Sequence, residues 1–405
     1  MSDDSEPSCL AAWAWRVRYD GAVHRNPEPT VFQEPDLLIV GAGPTGCTIA
    51  ERAARELGWR CLVVEKRDHV GGACHDHLHP SGIRVHPYGR HFFHTSDPDV
   101  LQYLSRFTRW RSTRCEVQAE RDGLLYPFPI NLETMERFFG LELDAESALA
   151  LLDGLRDKSI THPIHAEGWA LANLGRQLYQ AFYEGYTRKQ WGLHPMSLPP
   201  ELYARIPIRM THENRYTDDR YELIPDPGYT ELFEAMLNHP RVRVERETTY
   251  RQIRERAHPR RALIYTGALD ELFDAGEGQL PWRALAVRME LVQRPFVQPC
   301  AQINHPNEHD YTRSVEIKHI TGQEHPHTVI AYETPCAHGE PAYPVPSAPA
   351  RRLHARYLEL ARVRQARGGF YFAGRLAEYR YMSTAQAIRG ALTLFERIRT
   401  DLAGG

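Results

Sequence analysis

Short apolar runs near both ends of the chain predict buried strands of a parallel sheet. DLLIV (36–40) is followed by the helical pattern of TGCTIAERAARELG (45–58) and then by CLVVE (61–65), which together predict a βαβ unit. FYFAGR (370–375) is a similar run that ends in glycine, and a helix is predicted after it, roughly at 384–399. Because this late unit repeats the pattern of the first, we expect a nucleotide-binding domain that is discontinuous in sequence.

The middle of the chain changes from a helical pattern to a strand pattern. Residues 131–190 are rich in Leu, Ala, Glu and Phe at helical spacing, which predicts an inserted helical region. Between residues 240 and 335, apolar and polar residues alternate in short runs such as LAVRMELV (285–292) and TVIAYE (328–333). Such alternation is typical of an antiparallel sheet with one buried face.

Composition and charge exclude several classes of function. The chain has 405 residues, enough for two or three domains, and a formal net charge of −3, which provides no basic field for nucleic acid or anionic membranes. The seven cysteines form no CxxC pair, and no run approaches the roughly 20 apolar residues of a membrane span. His75, His77 and His79 are interpreted as a solvated loop. We therefore expect a soluble, cytoplasmic protein with no metal site, no nucleic acid partner and no membrane insertion.

GAGPTG (41–46) has the GxGxxG spacing of a dinucleotide-binding loop. Gly41 permits the tight turn after the strand, Gly43 lets a pyrophosphate approach the backbone, and Gly46 lets helix and strand pack closely. The phosphates then face the N-terminus of the helix. Glu65, at the end of the second strand, is placed to accept hydrogen bonds from ribose hydroxyls, which favours FAD or NAD over a 2′-phosphorylated cofactor.

The residues after Glu65 favour a permanently bound flavin. Arg67 lies two positions further on, and the pair Gly71 and Gly72 follows in EKRDHVGG (65–72). This extension is typical of flavoproteins that hold FAD rather than of dehydrogenases that exchange NAD. The sequence therefore predicts FAD as the cofactor.

Seven strings occur in a fixed order along the chain. They are EKRDHVGG (65–72), HPYGRHFFHT (86–95), GYTRKQWG (185–192), RIPIR (205–209), PGYTELFEAML (227–237), YTR (311–313) and GRLAEYRY (374–381). In order and spacing this set resembles the UDP-galactopyranose mutase family, from about Asp36 to the last helix. The patterns YGxHxFHT and YTxKQWG are long and unusual, so the resemblance is specific.

The resemblance implies an α/β architecture of three parts, usually in a homodimer. The parts are a discontinuous Rossmann-like FAD-binding domain (36–100, 201–275 and 350–405), an inserted, mainly helical domain (101–200) and an antiparallel β-sheet domain (276–349), preceded by an N-terminal extension (1–35).

The resemblance also implies a non-redox isomerisation that uses FAD in its reduced form. In the family, N5 of the reduced flavin attacks the anomeric carbon of a nucleotide-diphosphate hexose and the nucleoside diphosphate leaves. The opened sugar recloses through a different hydroxyl, which interconverts pyranose and furanose forms. The tasks of the protein are then binding, orientation and electrostatics. The implied partners are the nucleotide sugar and an external reductant for FAD.

The family motifs imply roles for individual side chains. Arg205 and Arg313 match arginines that grip the diphosphate, whose charge grows as the bond breaks. His91 and His94 match histidines beside the flavin, where they would stabilise negative charge or relay protons. The cofactor-side set also includes Gly374, Arg375 and Ser383. The expected substrate-binding aromatics are Phe182, Tyr186, Trp191, Tyr216, Tyr343, Tyr379 and Tyr381.

Packing in a core is the alternative role for these aromatics. Phe182 and Tyr186 are four residues apart, which puts them on one face of an α-helix, where we expect them to stack on the nucleotide base. The same spacing is common among residues that only pack against a neighbouring element.

Three departures from the family pattern surround the expected substrate pocket. Ser383 stands where the family carries an aspartate, Ala342 precedes Tyr343 where the family has paired tyrosines, and SVEIKH (314–319) follows the YTR string in place of a sequence like IIEHK. The resemblance to the family makes UDP-galactose the expected donor, and a GDP-hexose such as GDP-L-galactose is the alternative. An FAD-dependent oxidoreductase and an inactive FAD scaffold are the rival classes.

Overall fold

The computed structural model describes residues 34–402, so the predicted extension 1–35 lies almost wholly outside the described residues. The strands are β1 (Leu37–Val40), β2 (Cys61–Val64), β3 (His77–Leu78), β4 (Arg84–Val85), β5 (Phe93–Thr95), β6 (Trp110–Ser112), β7 (Val117–Arg121), β8 (Leu124–Phe128), β9 (Tyr221–Pro225), β10 (Val242–Glu245), β11 (Ala262–Tyr265), β12 (Trp282–Val292), β13 (Gln302–Asn304), β14 (Arg313–Glu316), β15 (Thr328–Cys336), β16 (Tyr343–Pro344) and β17 (Phe370–Phe372). The α-helices are α1 (Pro44–Glu56), α2 (Pro98–Leu104), α3 (Leu132–Phe139), α4 (Ala145–Leu155), α5 (Ala166–Asn173), α6 (Gly175–Tyr179), α7 (Gly185–Trp191), α8 (Glu201–Ala204), α9 (Tyr229–Leu237), α10 (Tyr250–Ile253), α11 (Leu269–Leu272), α12 (Lys318–Thr321), α13 (Ala348–Ala366) and α14 (Thr384–Leu402).

A parallel sheet with the strand order β10-β2-β1-β11-β17 forms the nucleotide-binding part. Alternate residues of β1 point to opposite faces of this sheet. Ile39 packs with Ile49 of α1 in one core, whereas Leu38 packs with Tyr357 of α13 in another. The last strand, β17, pairs in parallel with β11, and α14 packs against α1. The predicted α/β class with a discontinuous Rossmann-like domain is therefore confirmed.

A second, largely antiparallel sheet has the order β16-β12-β15-β14-β13-β7-β8, with β7 and β13 parallel. Its strands β12 to β16 lie within the range 276–349 that the resemblance implied for an antiparallel sheet domain. Strands β10 and β11, which lie in the region 240–335 predicted to form an antiparallel sheet, belong to the parallel sheet instead. The hairpin β7–β8 lies inside the range 101–200, which was expected to be mainly helical. It turns at Asp122 and Gly123, whose φ values of 52° and 74° suit a two-residue hairpin turn.

Helices α3 to α8 surround an apolar core that includes Leu178 and Phe182. Helices α3 and α4 each begin with a capping box: Asn131 accepts from the backbone N–H of Thr134 (2.9 Å), and Asp144 accepts from that of Ser147 (2.8 Å). Between α6 and α7 the chain makes one wider π-helical turn, Gln180–Glu184. Within the described range 34–402, no helix is both long and apolar enough to cross a lipid bilayer.

Candidate active site

A cavity of about 710 Å³ lies at the carboxyl ends of the parallel strands. Val40, Val64 and Tyr265, the last residues of β1, β2 and β11, line it. Dinucleotides bind at this edge of an open parallel sheet. We call this space the cofactor cavity. The predicted residues that line it are Gly41, Gly43, Glu65, Arg67, Gly72, His91, Gly374, Arg375 and Ser383.

The glycine loop fits the phosphates of a dinucleotide. A Cβ atom at Gly41 would lie 2.2 Å from Oγ1 of Thr266, and one at Gly46 would lie 2.0 Å from the carbonyl oxygen of Gly41. These two glycines are therefore required by close packing. Gly43 precedes α1, and no side chain caps this helix among the described residues. The backbone N–H groups of its first turn thus remain available to phosphate oxygens.

Glu65 is fixed in the wall of the cofactor cavity. Its side chain is 3% exposed, Oε2 accepts from the backbone N–H of Ala42 (2.9 Å), and Oε1 accepts from that of Arg67 (3.0 Å). Gly71 does not line the cavity. It donates to the carbonyl oxygen of Ala42 (2.8 Å) at a φ of 91°, and so holds its turn against the phosphate loop.

The structure separates the two predicted histidines. His91 lines the cofactor cavity, and its Nδ1 donates to the carbonyl oxygen of Gly89 (2.9 Å). Burial and the nearby charge of Arg375 lower the pKa of His91 to about 3, so the ring is neutral and Nε2 carries a lone pair. His94 lies on β5, where Nδ1 is 2.6 Å from Oδ2 of Asp219, and it does not line the cavity.

Ser383 caps α14 at the edge of the cofactor cavity. Its backbone N–H donates to Oε1 of Gln386 (2.9 Å), and its Oγ accepts from the backbone N–H of Gln386 (3.2 Å). This is a capping box, a role that serine and aspartate fill equally well. The departure from the family aspartate therefore keeps the helix cap and removes one negative charge.

Arg313 lies beside the cofactor cavity among polar side chains from three elements. Its Nε donates to Oη of Tyr186 (2.7 Å), Nη1 donates to Oε2 of Glu333 (2.9 Å), and Nη2 donates to Oε1 of Gln190 (3.4 Å). Tyr343 Oη is 3.5 Å from Nη1. Burial opposes the charge, but Tyr186, Tyr343 and Glu333 raise the pKa of Arg313 well above its ordinary value. The guanidinium is therefore a fixed positive charge.

Tyr381 joins Arg313 and its neighbours to the cofactor cavity. The guanidinium carbon of Arg205 lies 4.8 Å from the ring centre of Tyr381, and that of Arg375 lies 5.1 Å from it. Tyr343 stacks on the same ring at 6.4 Å, and Trp191 meets Tyr343 edge-on at 6.3 Å. We call the group of side chains formed by Arg205, Arg313, Tyr343 and Tyr381 the arginine cleft.

The arginine cleft has a strongly positive field. Partial burial of Tyr381, which is 48% exposed, would raise its pKa, but nearby guanidinium groups outweigh this effect and lower that pKa below the ordinary value. The groups responsible are Arg375, Arg205, Arg313 and Arg90. Such a field suits an anionic ligand with bidentate phosphate oxygens.

Phe182 is not brought to the arginine cleft. It is 3% exposed and packs against Tyr126 (5.4 Å between ring centres) and Phe138 (5.5 Å) in the helical core. The π-helical turn Gln180–Glu184 changes the phase between Phe182 and Tyr186, so their spacing no longer places them on one face. Tyr186 alone reaches Arg313.

Tyr379 is also a packing residue in this structure. It is 7% exposed, with its ring against Trp282 (4.8 Å) and His354 (5.2 Å), and its hydroxyl donates to the carbonyl oxygens of Pro281 and Val345. Tyr216 is half-buried beside the cleft, where its backbone N–H donates to the carbonyl oxygen of Cys115 (3.0 Å).

Three polar residues of the site were missed by the sequence reasoning. Glu333 is 0% exposed, and it bridges Arg313 to the backbone N–H of Arg90 (3.0 Å). An acidic residue at an inward position of TVIAYE (328–333) is a signal that could have found it. Gln190 belongs to a motif already noted, and Arg90 directly precedes His91.

One group of possible metal ligands occurs among the described residues, and it does not include His75, His77 or His79. Glu120, His305 and His309 bring one ligand atom each within 4.8 Å of one another. Both ring nitrogens of His305 already have hydrogen-bond partners, Glu120 (2.6 Å) and Ser314 (2.8 Å). These contacts account for the group without an ion.

Comparisons with known proteins agree with this site. A family model described as UDP-galactopyranose mutase matches residues 181–381, and one described as an NAD(P)-binding Rossmann-like domain matches residues 39–107. A probable UDP-galactopyranose mutase from Klebsiella pneumoniae is 33% identical over 376 residues, which cover 91% of this chain and 96% of its own. A dTDP-fucopyranose mutase from Escherichia coli is 30% identical over 368 residues, covering 88% and 96%.

A solved structure supports the fold. The crystal structure of a reduced UDP-galactopyranose mutase superposes with a TM-score of 0.70 at 16% identity, covering 92% of this chain and 95% of its own. The fold and the site together define an isomerase of the mutase class, built on a Rossmann-like dinucleotide-binding domain. More particularly, the chain belongs to the UDP-galactopyranose mutase family.

Proposed function

We propose that this chain interconverts the pyranose and furanose forms of a nucleotide-diphosphate hexose, with reduced FAD as its cofactor. The observation that carries the proposal is the continuity of two sites. The cofactor cavity includes Arg375, and Arg375 and Arg205 both contact the ring of Tyr381 in the arginine cleft. A dinucleotide and a diphosphate can therefore be held side by side.

Named residues of the cofactor cavity suit FAD. The loop of Gly41 and Gly43 and the start of α1 would hold the pyrophosphate, and Glu65 would hold the ribose. Arg375 and the capped N-terminus of α14 would face the flavin ring. When bound, reduced FAD supplies the nucleophile for the anomeric carbon.

The arginine cleft would hold the diphosphate both when its bond to the sugar breaks and when that bond forms again. Charge on the diphosphate grows as its bond to the sugar breaks, and preorganised guanidinium groups stabilise that charge. Arg313 is held by Tyr186, Glu333 and Gln190, so it need not reorganise. The same contacts would retain the diphosphate until the sugar has reclosed.

His91 would act as a neutral base rather than as a cation. Its Nδ1 hydrogen is committed to Gly89, and its lowered pKa of about 3 leaves Nε2 unprotonated. Nε2 can accept the proton that the attacking hydroxyl releases when the sugar ring recloses, and return it to the ring oxygen, which takes up a proton, when the ring opens again. Positive charge beside the cofactor would come from Arg375.

UDP-galactopyranose is the donor we propose first. The Klebsiella pneumoniae relative that carries this activity in its name is 33% identical to the chain, and the Escherichia coli dTDP-fucopyranose mutase, at 30%, makes dTDP-fucopyranose the second candidate. Neither the cap at Ser383 nor the contact of Tyr343 with Arg313 distinguishes between these two donors.

The proposal is tested by an anaerobic assay with dithionite-reduced and oxidised protein. The donors are UDP-galactose, dTDP-fucose and a GDP-hexose, and the products are separated by chromatography. We expect a furanose product from one donor in the reduced sample alone. Bound, reducible flavin without any isomer would favour an inactive scaffold, and donor-dependent flavin reduction would favour an oxidoreductase.

A further inference from the structure

Arg90 has an unusual set of partners for a buried guanidinium. Its Nη1 donates to Sγ of Cys115, and its guanidinium carbon lies 4.8 Å from the ring centre of Phe92. Its Nε is buried and has no hydrogen-bond partner among the described residues. A thiol is a weak, neutral acceptor, so it does not compensate the positive charge.

In the described part of the chain, Arg205, Arg313 and Arg375 have no buried nitrogen that lacks a hydrogen-bond partner, in contrast to Arg90. Among the described residues, Arg313 is paired with the carboxylate of Glu333, whereas Arg90 makes no ion pair with a carboxylate. Leaving a buried donor unpaired is unfavourable, and a buried charge without acceptors more so. We therefore expect a bound ligand to supply the hydrogen-bond acceptor that the guanidinium of Arg90 lacks.

The backbone of Arg90 lies between the cofactor cavity and the arginine cleft. His91, the next residue, lines the cofactor cavity. The backbone N–H of Arg90 donates to Oε1 of Glu333 (3.0 Å), whose Oε2 accepts from Arg313 (2.9 Å) in the arginine cleft. In a reaction at the anomeric carbon, the hexose lies between the cofactor and the diphosphate.

We infer that Arg90 is a specificity-determining residue that donates hydrogen bonds to an oxygen substituent of the hexose. The inference rests on the proposed function and adds a contact to the sugar, distinct from those of Arg205 and Arg313 to the diphosphate. The free N–H groups of Arg90 match a hydroxyl oxygen of the ring. Arg90 therefore contributes to the choice of sugar rather than of nucleotide.

The test compares the affinities of the flavin-loaded full chain for UDP and UDP-galactose, and for dTDP and dTDP-fucose, by calorimetry. Arg90→Met keeps the length of the side chain and removes its donors. We expect it to weaken binding of the nucleotide sugar that the wild type isomerises by about tenfold to a hundredfold, with little change for the nucleotide alone. Arg205→Met should weaken both, and Arg109→Met, at a surface position that is 89% exposed, should weaken neither.

Two further measurements keep the inference falsifiable. If Arg90→Met folds poorly, Arg90→Lys is used in its place. With a normal flavin content, Arg90→Lys should retain part of the affinity for the nucleotide sugar. Wild-type protein should discriminate against the one deoxy analogue of the donor that lacks the contacted hydroxyl, and Arg90→Met should not. Equal losses for nucleotide and nucleotide sugar, or no loss for either, would overturn the inference, while wild-type turnover in the same preparation would leave the proposed function standing.

Discussion

At the scale of single residues, the site depends on charges that are held in place before the substrate binds. Arg313 illustrates this, because each of its three nitrogens has a side-chain acceptor. A lysine offers a point charge and lacks the planar fork that binds two phosphate oxygens at once. The geometry of the side chain should therefore matter as much as its charge.

Arg313→Lys should lower kcat/KM by about 10²-fold or more while flavin content stays normal, a loss typical of removing one preorganised donor for transition-state charge. Steady-state kinetics of the reduced protein measures this, with the flavin absorbance of the purified variant as a control for folding. Arg109→Lys is the matched surface control, since Arg109 is 89% exposed. Near-normal kinetics in Arg313→Lys would remove Arg313 from the diphosphate site.

His91 makes a prediction about pH. Its pKa is about 3 in the folded chain and 6.5 ordinarily, so between these values the unfolded chain binds a proton that the folded chain does not. Its contribution to stability is therefore complete above pH 6.5 and is lost as pH falls towards 3. His91→Gln should reduce the slope of unfolding free energy against pH by up to about 1.4 kcal/mol per pH unit in this window.

Denaturant unfolding of wild type and His91→Gln at a series of pH values measures that slope. His162→Gln, at an exposed position, is the control and should leave the slope unchanged. Identical slopes for wild type and His91→Gln would mean that His91 is not held neutral in the fold.

At the scale of elements, one π-helical turn decides which aromatic residue reaches the arginine cleft. The turn Gln180–Glu184 sends Phe182 into the helical core and leaves Tyr186 against Arg313. Sequence spacing assumes the period of an α-helix, so it put both residues on one face. The extra residue in the turn could not be read from the string QAFYE (180–184) itself.

Phe182→Ala should destabilise the chain by about 3–5 kcal/mol, because it opens a cavity in a packed core. Tyr186→Phe opens no cavity, so it should cost less stability, about 1–3 kcal/mol for the unpaired Nε donor of Arg313, and it should lower turnover. Thermal unfolding and steady-state kinetics of the two variants separate these effects. A large rise in KM for Phe182→Ala at unchanged stability would contradict the packing role and support stacking of Phe182 on the nucleotide base.

Local signals predicted the cofactor side of the site better than the substrate side. The glycines of GAGPTG (41–46) and Glu65 lie within one βαβ unit, so their roles follow from short-range geometry. The partners of Arg313 come from α7 and β15, and that meeting depends on tertiary packing. The hairpin β7–β8 has an Asp-Gly turn, a local signal that our sequence predictions missed, and its pairing with β13 is a long-range contact that no local pattern encodes.

At the scale of the whole molecule, the fold brings together two sites that are formed by different segments of the sequence. The cofactor cavity is built from the discontinuous parallel-sheet part, and the arginine cleft is built from α7, the large sheet and the segment after β17. Arg375 lines the cofactor cavity and contacts Tyr381 of the arginine cleft. The homodimer implied by the resemblance stays a prediction.

If the proposed function is correct, reduced flavin is used in each cycle without being consumed. The measurement that tests it most directly is an anaerobic reaction of photoreduced or dithionite-reduced protein with its donor, in which furanose product and the absorbance of oxidised flavin are followed together. We expect many product molecules per flavin while the flavin remains reduced and its oxidised absorbance stays low. Product formed in a ratio of one per flavin, with the oxidised absorbance returning in step, would contradict it.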